Sequence, residues 1–475
     1  MCEMTLQRST TGWFLANVAS SVLNFLAVVF FSRVLGAAIL GIYFMFFSLV
    51  QVLNYIGNGG LSGATIKRIS EGNRNSSLLG ASFLMRSVFF SVIAIGILLC
   101  RNQLTSFLHG DFTYPLIIIL FLLQMSDLIR EVLQGIHRVG ISAWVDFVQQ
   151  AGKIAAQVGL VGYGIVGLIV GLIAGILASI GCGYAYIRIR LSWPKYSDMC
   201  DLFRFSRFAY GNSVGGLVFD WIGILAIGFF LGSTAAAVYG VCWSISVMVL
   251  LFSQAISTAL FPQVSRFHTM KNHSGIKDTL SIGLSYSPLL ALPAFFGVIA
   301  VGGRFLSTVY GADFSSGALV LVVLMATRVI QSLQMVICRT LEGLNRPDIE
   351  FRITLLTVSI NLVSMVFFIQ WYGAAGGALS SLITISISLM LNAWMLHRII
   401  PIEMAPPVFW IAGASVVMFI VVQALLRVFP QVTLISLAGI ILAGVVVYCG
   451  IIVMNREARE LIRGLVMSYS PLDVH

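Results

Sequence analysis

The chain has 475 residues, of which 59% are hydrophobic and only 10% are charged. Soluble domains carry about 25% charged residues, so this composition excludes a soluble globular protein. The formal net charge of +10 requires no nucleic acid, because basic loops of a membrane protein meet the anionic lipids of the inner leaflet.

Apolar runs long enough to cross about 30 Å of hydrocarbon recur along the whole chain. They predict an all-α polytopic membrane protein with about fourteen transmembrane helices, over 12–34, 38–60, 79–100, 115–136, 141–163, 165–187, 208–230, 235–259, 281–302, 316–338, 352–371, 375–396, 408–427 and 433–454. The close pairs around positions 164 and 373 leave the count open. The first run is too long for the core of a signal peptide and is expected to remain as the first helix.

The basic residues predict the orientation of these spans. If the N-terminus lies inside, the cytoplasmic segments hold 20 of the 28 Lys and Arg residues. The outer turns hold four, which are Arg33, Arg101, Arg304 and Arg427, and the spans hold Arg86, Arg130, Lys153 and Arg328. This asymmetry predicts that both termini are cytoplasmic and that the number of spans is even.

Several predicted spans carry polar residues three or four positions apart, which places them on one face of each helix. The stripes are Asn17, Ser21 and Asn24 in the first span, Gln51, Asn54 and Asn58 in the second, Gln124, Asp127, Arg130, Glu131 and Gln134 in the fourth, Gln149, Gln150, Lys153 and Gln157 in the fifth, and Arg328 and Gln331 in the tenth. Asp220 in the seventh span also lies near mid-depth. Ionisable residues there are costly and usually face the protein interior or water, so the stripes predict a hydrated cavity lined by amide and hydroxyl groups.

The segment RIRLSWPKYSDMCDLFRFSRF (188–208), in the middle of the chain, predicts an amphipathic linker at the membrane interface.

The sequence shows no sign of catalysis. The seven cysteines show no paired spacing and are interpreted as small buried hydrophobes. No phosphate-binding loop, metal cluster or nucleophile constellation occurs in the sequence, so neither a cofactor nor enzymatic activity is expected.

Three sequence echoes indicate an internal repeat. SRVLGAAILGIY (32–43) matches LGSTAAAVYG (231–240) with an offset of 196, LQGIHR (133–138) matches LEGLNR (341–346) with an offset of 208, and GYGIVG (162–167) matches WYGAAG (371–376) with an offset of 209. Six helices separate equivalent elements, so two parallel halves related by a pseudo-two-fold axis along the membrane normal are predicted. The expected domains are an N-lobe over 1–187, a cytoplasmic linker over 188–207, a C-lobe over 208–400, and two further helices with a cytoplasmic tail over 401–475.

These motifs, with LFPQVSRF after the eighth span and LEGLNRPDIEFR after the tenth, resemble the polysaccharide-exporter branch of the multidrug/oligosaccharidyl-lipid/polysaccharide (MOP) flippase superfamily, the Wzx-type O-antigen flippases. The resemblance covers about residues 10–400. It implies a two-lobed transporter that moves a polyprenyl-pyrophosphate-linked oligosaccharide across the cytoplasmic membrane by alternating access. It also implies membrane lipids and polysaccharide polymerase or glycosyltransferase machinery as partners. Energy would come from an ion gradient, with H⁺ or Na⁺ as coupling ion, from the membrane potential, or from substrate depletion outside.

For such a substrate the expected binding residues are Asn24, Asn54, Asp127, Arg130, Gln149, Lys153, Asp220 and Arg328. Arg328 is the strongest candidate for the pyrophosphate, because its predicted span holds no carboxylate and a guanidinium can bind phosphate oxygens with two hydrogen bonds. Structural pairing is the alternative for two of the cations. Arg130 can pair with Asp127 within its helix, and Lys153 can pair with Asp127 or Glu131 across helices. Asp220 can pair with Arg328 or carry a proton or cation.

Three other classes stay open. A multidrug or cation antiporter of the same superfamily shares the twelve-helix layout, but resemblance to its prokaryotic members implies a carboxylate in the first span, and 12–34 contains none. A peptidoglycan lipid-precursor flippase has fourteen helices and differs mainly in its substrate. A membrane glycosyltransferase needs catalytic carboxylates and usually sizeable outer loops, whereas here the outer turns are short.

Overall fold

The structure is a computed structural model, and it describes residues 2–72, 75–187, 192–204, 206, 218–403, 407–429 and 433–454. Within these ranges the chain forms helices and turns and no strand. It divides into two compact units, Met1–Ala237 and Val238–His475. The predicted lobe boundaries differ from this division and stay a prediction.

The helices of the first unit are α1 (Cys2–Asn58), α2 (Leu61–Ser70), α3 (Asn75–Leu99), α4 (Arg101–Leu108), α5 (Thr113–Gly135), α6 (Val139–Gly159), α7 (Ile165–Tyr184), α8 (Gly223–Leu231) and the start of α9 (Ser233–Met248). The second unit contains the rest of α9 and α10 (Leu250–Thr269), α11 (His273–Tyr286), α12 (Ala291–Phe305), α13 (Ala318–Gly343), α14 (Pro347–Tyr372), α15 (Ala374–His397), α16 (Pro407–Val428) and α17 (Leu434–Met454).

Nine helical stretches in the described part of the chain are long and apolar enough to cross a membrane, or ten if the bent pair α9 and α10 forms one span. The protein is therefore a multi-pass, all-α membrane protein, as predicted. The nine are fewer than the fourteen predicted spans because Val18–Asn58 holds two of them on either side of a kink at Gly36. Three other predicted spans are not counted among the nine stretches: α5 and α6, which carry charged residues, and the short helix Asp220–Leu231. The number of crossings stays a prediction, and positions 208–217 lie outside the described residues.

Backbone geometry repeats at the three sequence echoes. Gly36 has φ 75° and ψ 174°, and Gly232 has φ 87° and ψ 177°, a conformation that is essentially restricted to glycine. The same agreement holds for Gly164 and Gly373, with φ of 60° and 61°, and for His137 and Asn345, with φ of 61° and 60°. The shared conformations support an internal repeat, and the two-fold relation between halves stays a prediction.

A glycine of α7 lets that helix pack directly on α6, which carries Lys153. A Cβ at Gly175 would lie 2.6 Å from the Gln149 carbonyl oxygen and 2.7 Å from the Lys153 backbone nitrogen. Small residues allow membrane helices to approach this closely. The contact fixes the face that α6 presents to α1 and α5.

The last two helices pack onto the second unit. An apolar cluster of α12, α16 and α17 includes Val301, Met418 and Ile440, and the Tyr448 hydroxyl donates to the Leu289 carbonyl oxygen at 2.6 Å. Burial of these side chains away from water and lipid attaches α16 and α17 to α12, so they form part of this unit.

The described part of the linker, 192–204 and 206, has one buried and one exposed face. Leu202 is fully buried against Leu61 and Leu78, whereas Trp193 and Tyr196 are exposed. This amphipathic arrangement agrees with the sequence pattern, and the location at a membrane interface stays a prediction.

Candidate functional site

A cavity of about 640 Å³ lies within the first unit, between α1, α2, α5 and α6. Its polar lining residues are Gln51, Asn54, Asn58, Ser62, Asp127, Arg130, Glu131, Gln134, Asp146, Gln149, Gln150 and Lys153. The stripes of the second, fourth and fifth predicted spans therefore meet at one cavity. Five of the eight expected binding residues line it.

Arg130 is held between two carboxylates of this cavity. Its guanidinium donates to Asp127 on its own helix and to Asp146 on α6. Asn54 donates its Nδ2 to the other carboxylate oxygen of Asp127 at 2.9 Å. The pair within α5, which was the structural alternative for Arg130, is therefore present. Asp146 supplies a second negative charge, so the charge of Arg130 is fully compensated.

Asp146 was missed by the sequence reasoning, although a signal for it exists. It precedes Gln149 and Gln150 by three and four residues and Lys153 by seven, so it belongs to the same helical face as the stripe of α6. Extending that stripe towards the start of the helix would have found it.

Lys153 lies seven residues, or about 10 Å, further along α6 than Asp146. Its side chain is buried, and its Nζ lies 5.8 Å from the centre of the Phe47 ring on α1, within the range of a cation–π attraction. Among the described residues Lys153 forms no ion pair or hydrogen bond. The carboxylates considered as its partners are used elsewhere: Asp127 pairs with Arg130, and Glu131 pairs with an arginine of α3.

That arginine, Arg86, lies behind the cavity wall and takes part in a second polar network with three lining residues. It is fully buried, and its Nη2 donates to Glu131 Oε2 at 2.5 Å. Ser62 donates its hydroxyl to the other oxygen of Glu131, and Asn58 Nδ2 donates to Ser62 Oγ at 2.6 Å. The network joins α1, α2, α3 and α5. The sequence predicts that Arg86 lies within a span. It does not predict that Arg86 pairs with Glu131, because the two residues are on separate helices.

Three other expected residues lie in or beside the same unit's cavity. Gln149 lines it and accepts a hydrogen bond from Ser126 at 3.2 Å. Asn24 accepts from Gln150 Nε2 at 3.1 Å and so contacts the lining from α1. Asp220 is outside the lining but acts electrostatically on Tyr55 of the wall. The side chain of Asn17 lies outside the described residues.

Arg328 lies in the second unit, on α13, and is not part of this cavity. It is buried, and it donates from Nε to Ser246 Oγ at 3.1 Å and from Nη1 to Gln331 Oε1 at 2.5 Å. Its guanidinium carbon lies 6.0 Å from the centre of the Trp243 ring. These contacts orient the guanidinium.

The second unit has a cavity of a different kind, with a volume of about 470 Å³. It lies between α9, α12, α13, α16 and α17, and nearly all of its lining is apolar, including Met325, Met418 and Val422. Such a wall offers hydrophobic contact and few hydrogen bonds.

Residues 6–268, more than half of the chain, match the family described as polysaccharide biosynthesis protein. The chain belongs to this family. Residues 217–367 of this family member also match the MatE family.

Two relatives from Haloferax volcanii are similar along nearly the whole length of the chain. The probable low-salt glycan biosynthesis flippase Agl15 is 29% identical over 460 residues, which cover 96% of this chain and 98% of Agl15. The probable flippase AglR is 25% identical over 474 residues, which cover 97% of this chain and 98% of AglR.

Solved structures show the shared fold. The lipid II flippase MurJ in an inward closed conformation has a TM-score of 0.77 and 15% identity over 95% of this chain and 99% of its own. An inward-facing multidrug resistance MATE family transporter of the MOP superfamily has a TM-score of 0.66 and 13% identity over 80% of this chain and 94% of its own. The resemblance to the MOP superfamily seen in the sequence is confirmed.

Proposed function

We propose that this protein of the polysaccharide biosynthesis family is a flippase that moves a polyprenyl-pyrophosphate-linked oligosaccharide across the cytoplasmic membrane by alternating access. The observation that carries the proposal is the polar cavity of the first unit, which contains a buried lysine with no anionic partner among the described residues. The similarity to Agl15 and AglR, both named as probable flippases, supports the same function.

The chemistry of the two cavities suits the two parts of such a substrate. Amide and carboxylate groups can hydrogen-bond sugar hydroxyls, and Lys153 can offset the charge of an anionic head, which is expensive to move through a membrane without a countercharge. Arg328 is the second candidate for that head, because it is a buried cation whose guanidinium is oriented by hydrogen bonds. The apolar cavity of the second unit can shelter part of the polyprenyl chain from water.

The proposal involves no covalent chemistry. Both termini lie in the cytoplasm, and glycosyltransferases and a polymerase are the partners that would supply and consume the glycan. H⁺, Na⁺ or the membrane potential would drive the cycle. The basic residues of the predicted cytoplasmic segments support this orientation.

Reconstitution into sealed liposomes tests the function. A labelled polyprenyl-pyrophosphate oligosaccharide should change leaflet when the protein is present and should be recovered chemically unchanged. Protein-free liposomes and liposomes with Lys153→Ala are the controls. Turnover of the glycan, or no change of leaflet with folded protein, would contradict the proposal.

A multidrug antiporter is the second candidate, because residues 217–367 match the MatE family. It predicts efflux of a cationic dye against a proton or sodium gradient with no movement of the lipid-linked probe. The same liposomes with a lipid-linked peptidoglycan precursor test the third class, to which the MurJ-like fold points.

A further inference from the structure

Two asparagines of the cavity wall each donate a side-chain hydrogen bond but leave the side-chain oxygen without a partner. Asn54 donates its Nδ2 to Asp127, and Asn58 donates its Nδ2 to Ser62. The Oδ1 atoms of both asparagines are buried and have no hydrogen-bond partner in the described structure. Flipping the Asn54 amide would turn its oxygen towards a carboxylate, so the present orientation is the favourable one. Buried acceptors without donors are costly, and because both asparagines line the cavity, a small movement of either side chain would let its oxygen accept from a donor that enters the cavity.

Glu131 extends this acceptor surface. Its carboxylate lines the cavity and accepts one hydrogen bond on each oxygen, from Arg86 and from Ser62. Each carboxylate oxygen can accept about two hydrogen bonds, so capacity remains on both. The wall therefore selects for groups that donate, and hydroxyl groups are the donors that a glycan carries in greatest number.

Arg86 acts on the cavity through Glu131. It is not among the lining residues, it is fully buried, and its Nε and Nη1 have no hydrogen-bond partner in the described structure. A buried cation with two unpaired N–H donors is not expected if its role is stability alone. A buried ion pair can often be replaced by apolar residues without loss of folding stability. Its single ionic contact holds the carboxylate in place.

We infer that Glu131 is a specificity-determining residue that recognises hydroxyl donors of the transported sugar, together with Asn54 and Asn58, and that Arg86 is the positioning residue that orients Glu131. This inference rests on the proposed function, because it names the part of the lipid-linked glycan that the cavity recognises. It assigns the sugar, and not the pyrophosphate, to the end of the cavity formed by α2 and α5.

The test compares two probes in liposomes that contain the full-length protein. One probe is a polyprenyl-pyrophosphate disaccharide with free hydroxyls, and the other is the same molecule with methylated hydroxyls, which accept but cannot donate. Arg86→Met and Glu131→Met each leave one buried charge uncompensated and should reduce folded protein. The double variant Arg86→Met/Glu131→Met removes both charges and should recover abundance. Lys277→Met/Glu403→Met removes an ion pair of the second unit and is the matched control.

The unchanged protein should move the hydroxyl probe at least about tenfold faster than the methylated probe, because several buried acceptors lose their donors. The folded double variant should lose most of this preference, to about threefold or less, while the control pair keeps it. A folded double variant with the full preference would assign the pair to structure alone and overturn the inference. An unchanged protein that moves both probes equally would also overturn it, whereas one that moves neither would contradict the proposed function itself.

Discussion

Gly41 of α1 packs on the backbone of Ser233 so closely that a side-chain carbon at Gly41 would overlap the Ser233 carbonyl oxygen. Both residues belong to the first unit. Gly41 lies five residues after the kink at Gly36, and Ser233 directly follows Gly232. The two corners that echo each other in the sequence are therefore in backbone contact, which glycine permits because it lacks a Cβ.

Gly41→Ala should lower both thermal stability and transport. The added carbon forces α1 away from Ser233, and overpacking of this kind typically costs about 1–3 kcal/mol. Gly96→Ala is the matched control, because a Cβ there meets nothing within 4 Å. Thermal melting in detergent and leaflet exchange in liposomes measure the two effects. Equal melting temperatures and equal transport for the two variants would show that this contact contributes to neither stability nor transport.

Lys153→Ala should reduce transport to less than about a tenth while abundance stays near normal or rises. The lysine is buried without an ion pair in the described structure, so its removal relieves a desolvation cost and leaves no carboxylate uncompensated. Transport per folded molecule is the quantity to measure. Lys277→Ala, which breaks an exposed pair with Glu403, is the control.

The same experiment separates binding from structural pairing. If Lys153 paired with Asp127 in another state, Asp127→Asn should restore a destabilised Lys153→Ala protein. We expect no rescue, because Asp127 already pairs with Arg130. A rescued double variant would assign Lys153 to structure.

Arg328→Ala should abolish transport with little loss of membrane insertion, and Arg328→Lys should keep part of the activity. The lysine keeps the charge, but it cannot reproduce the two separate donors that reach Ser246 and Gln331. Transport per folded molecule is again the readout, with Arg304→Ala of a predicted outer turn as control. Full transport by Arg328→Ala would remove this residue as a phosphate site.

Single cysteines in a background without the seven native ones should report the orientation of the chain. Cysteines at positions 70, 272 and 460 should react only with reagents that enter the cytoplasm, and those at 109 and 312 should react from outside. The basic residues of the loops are the physical reason for this expectation. A C-terminus found outside would contradict both the even number of spans and the parallel repeat.

Much of the fold was readable from the sequence because it depends on local properties. Length and hydropathy of each run determine whether a helix can cross the bilayer, and a glycine at Gly36, Gly164, Gly232 or Gly373 marks a backbone conformation that other residues avoid. Helical periodicity likewise predicted that the stripes of α5 and α6 share a cavity. These signals lie within a few residues of one another along the chain.

The pairing of charges across different helices was decided by the tertiary structure alone. The sequence left pairing with a carboxylate open for both Arg130 and Lys153, yet Asp146 pairs with Arg130, while Lys153 faces Phe47. Arg86 and Glu131 are 45 residues apart and meet only because α3 packs beside α5. Coulomb energy depends on distances between side chains on different helices, and periodicity within one helix carries no information about those distances.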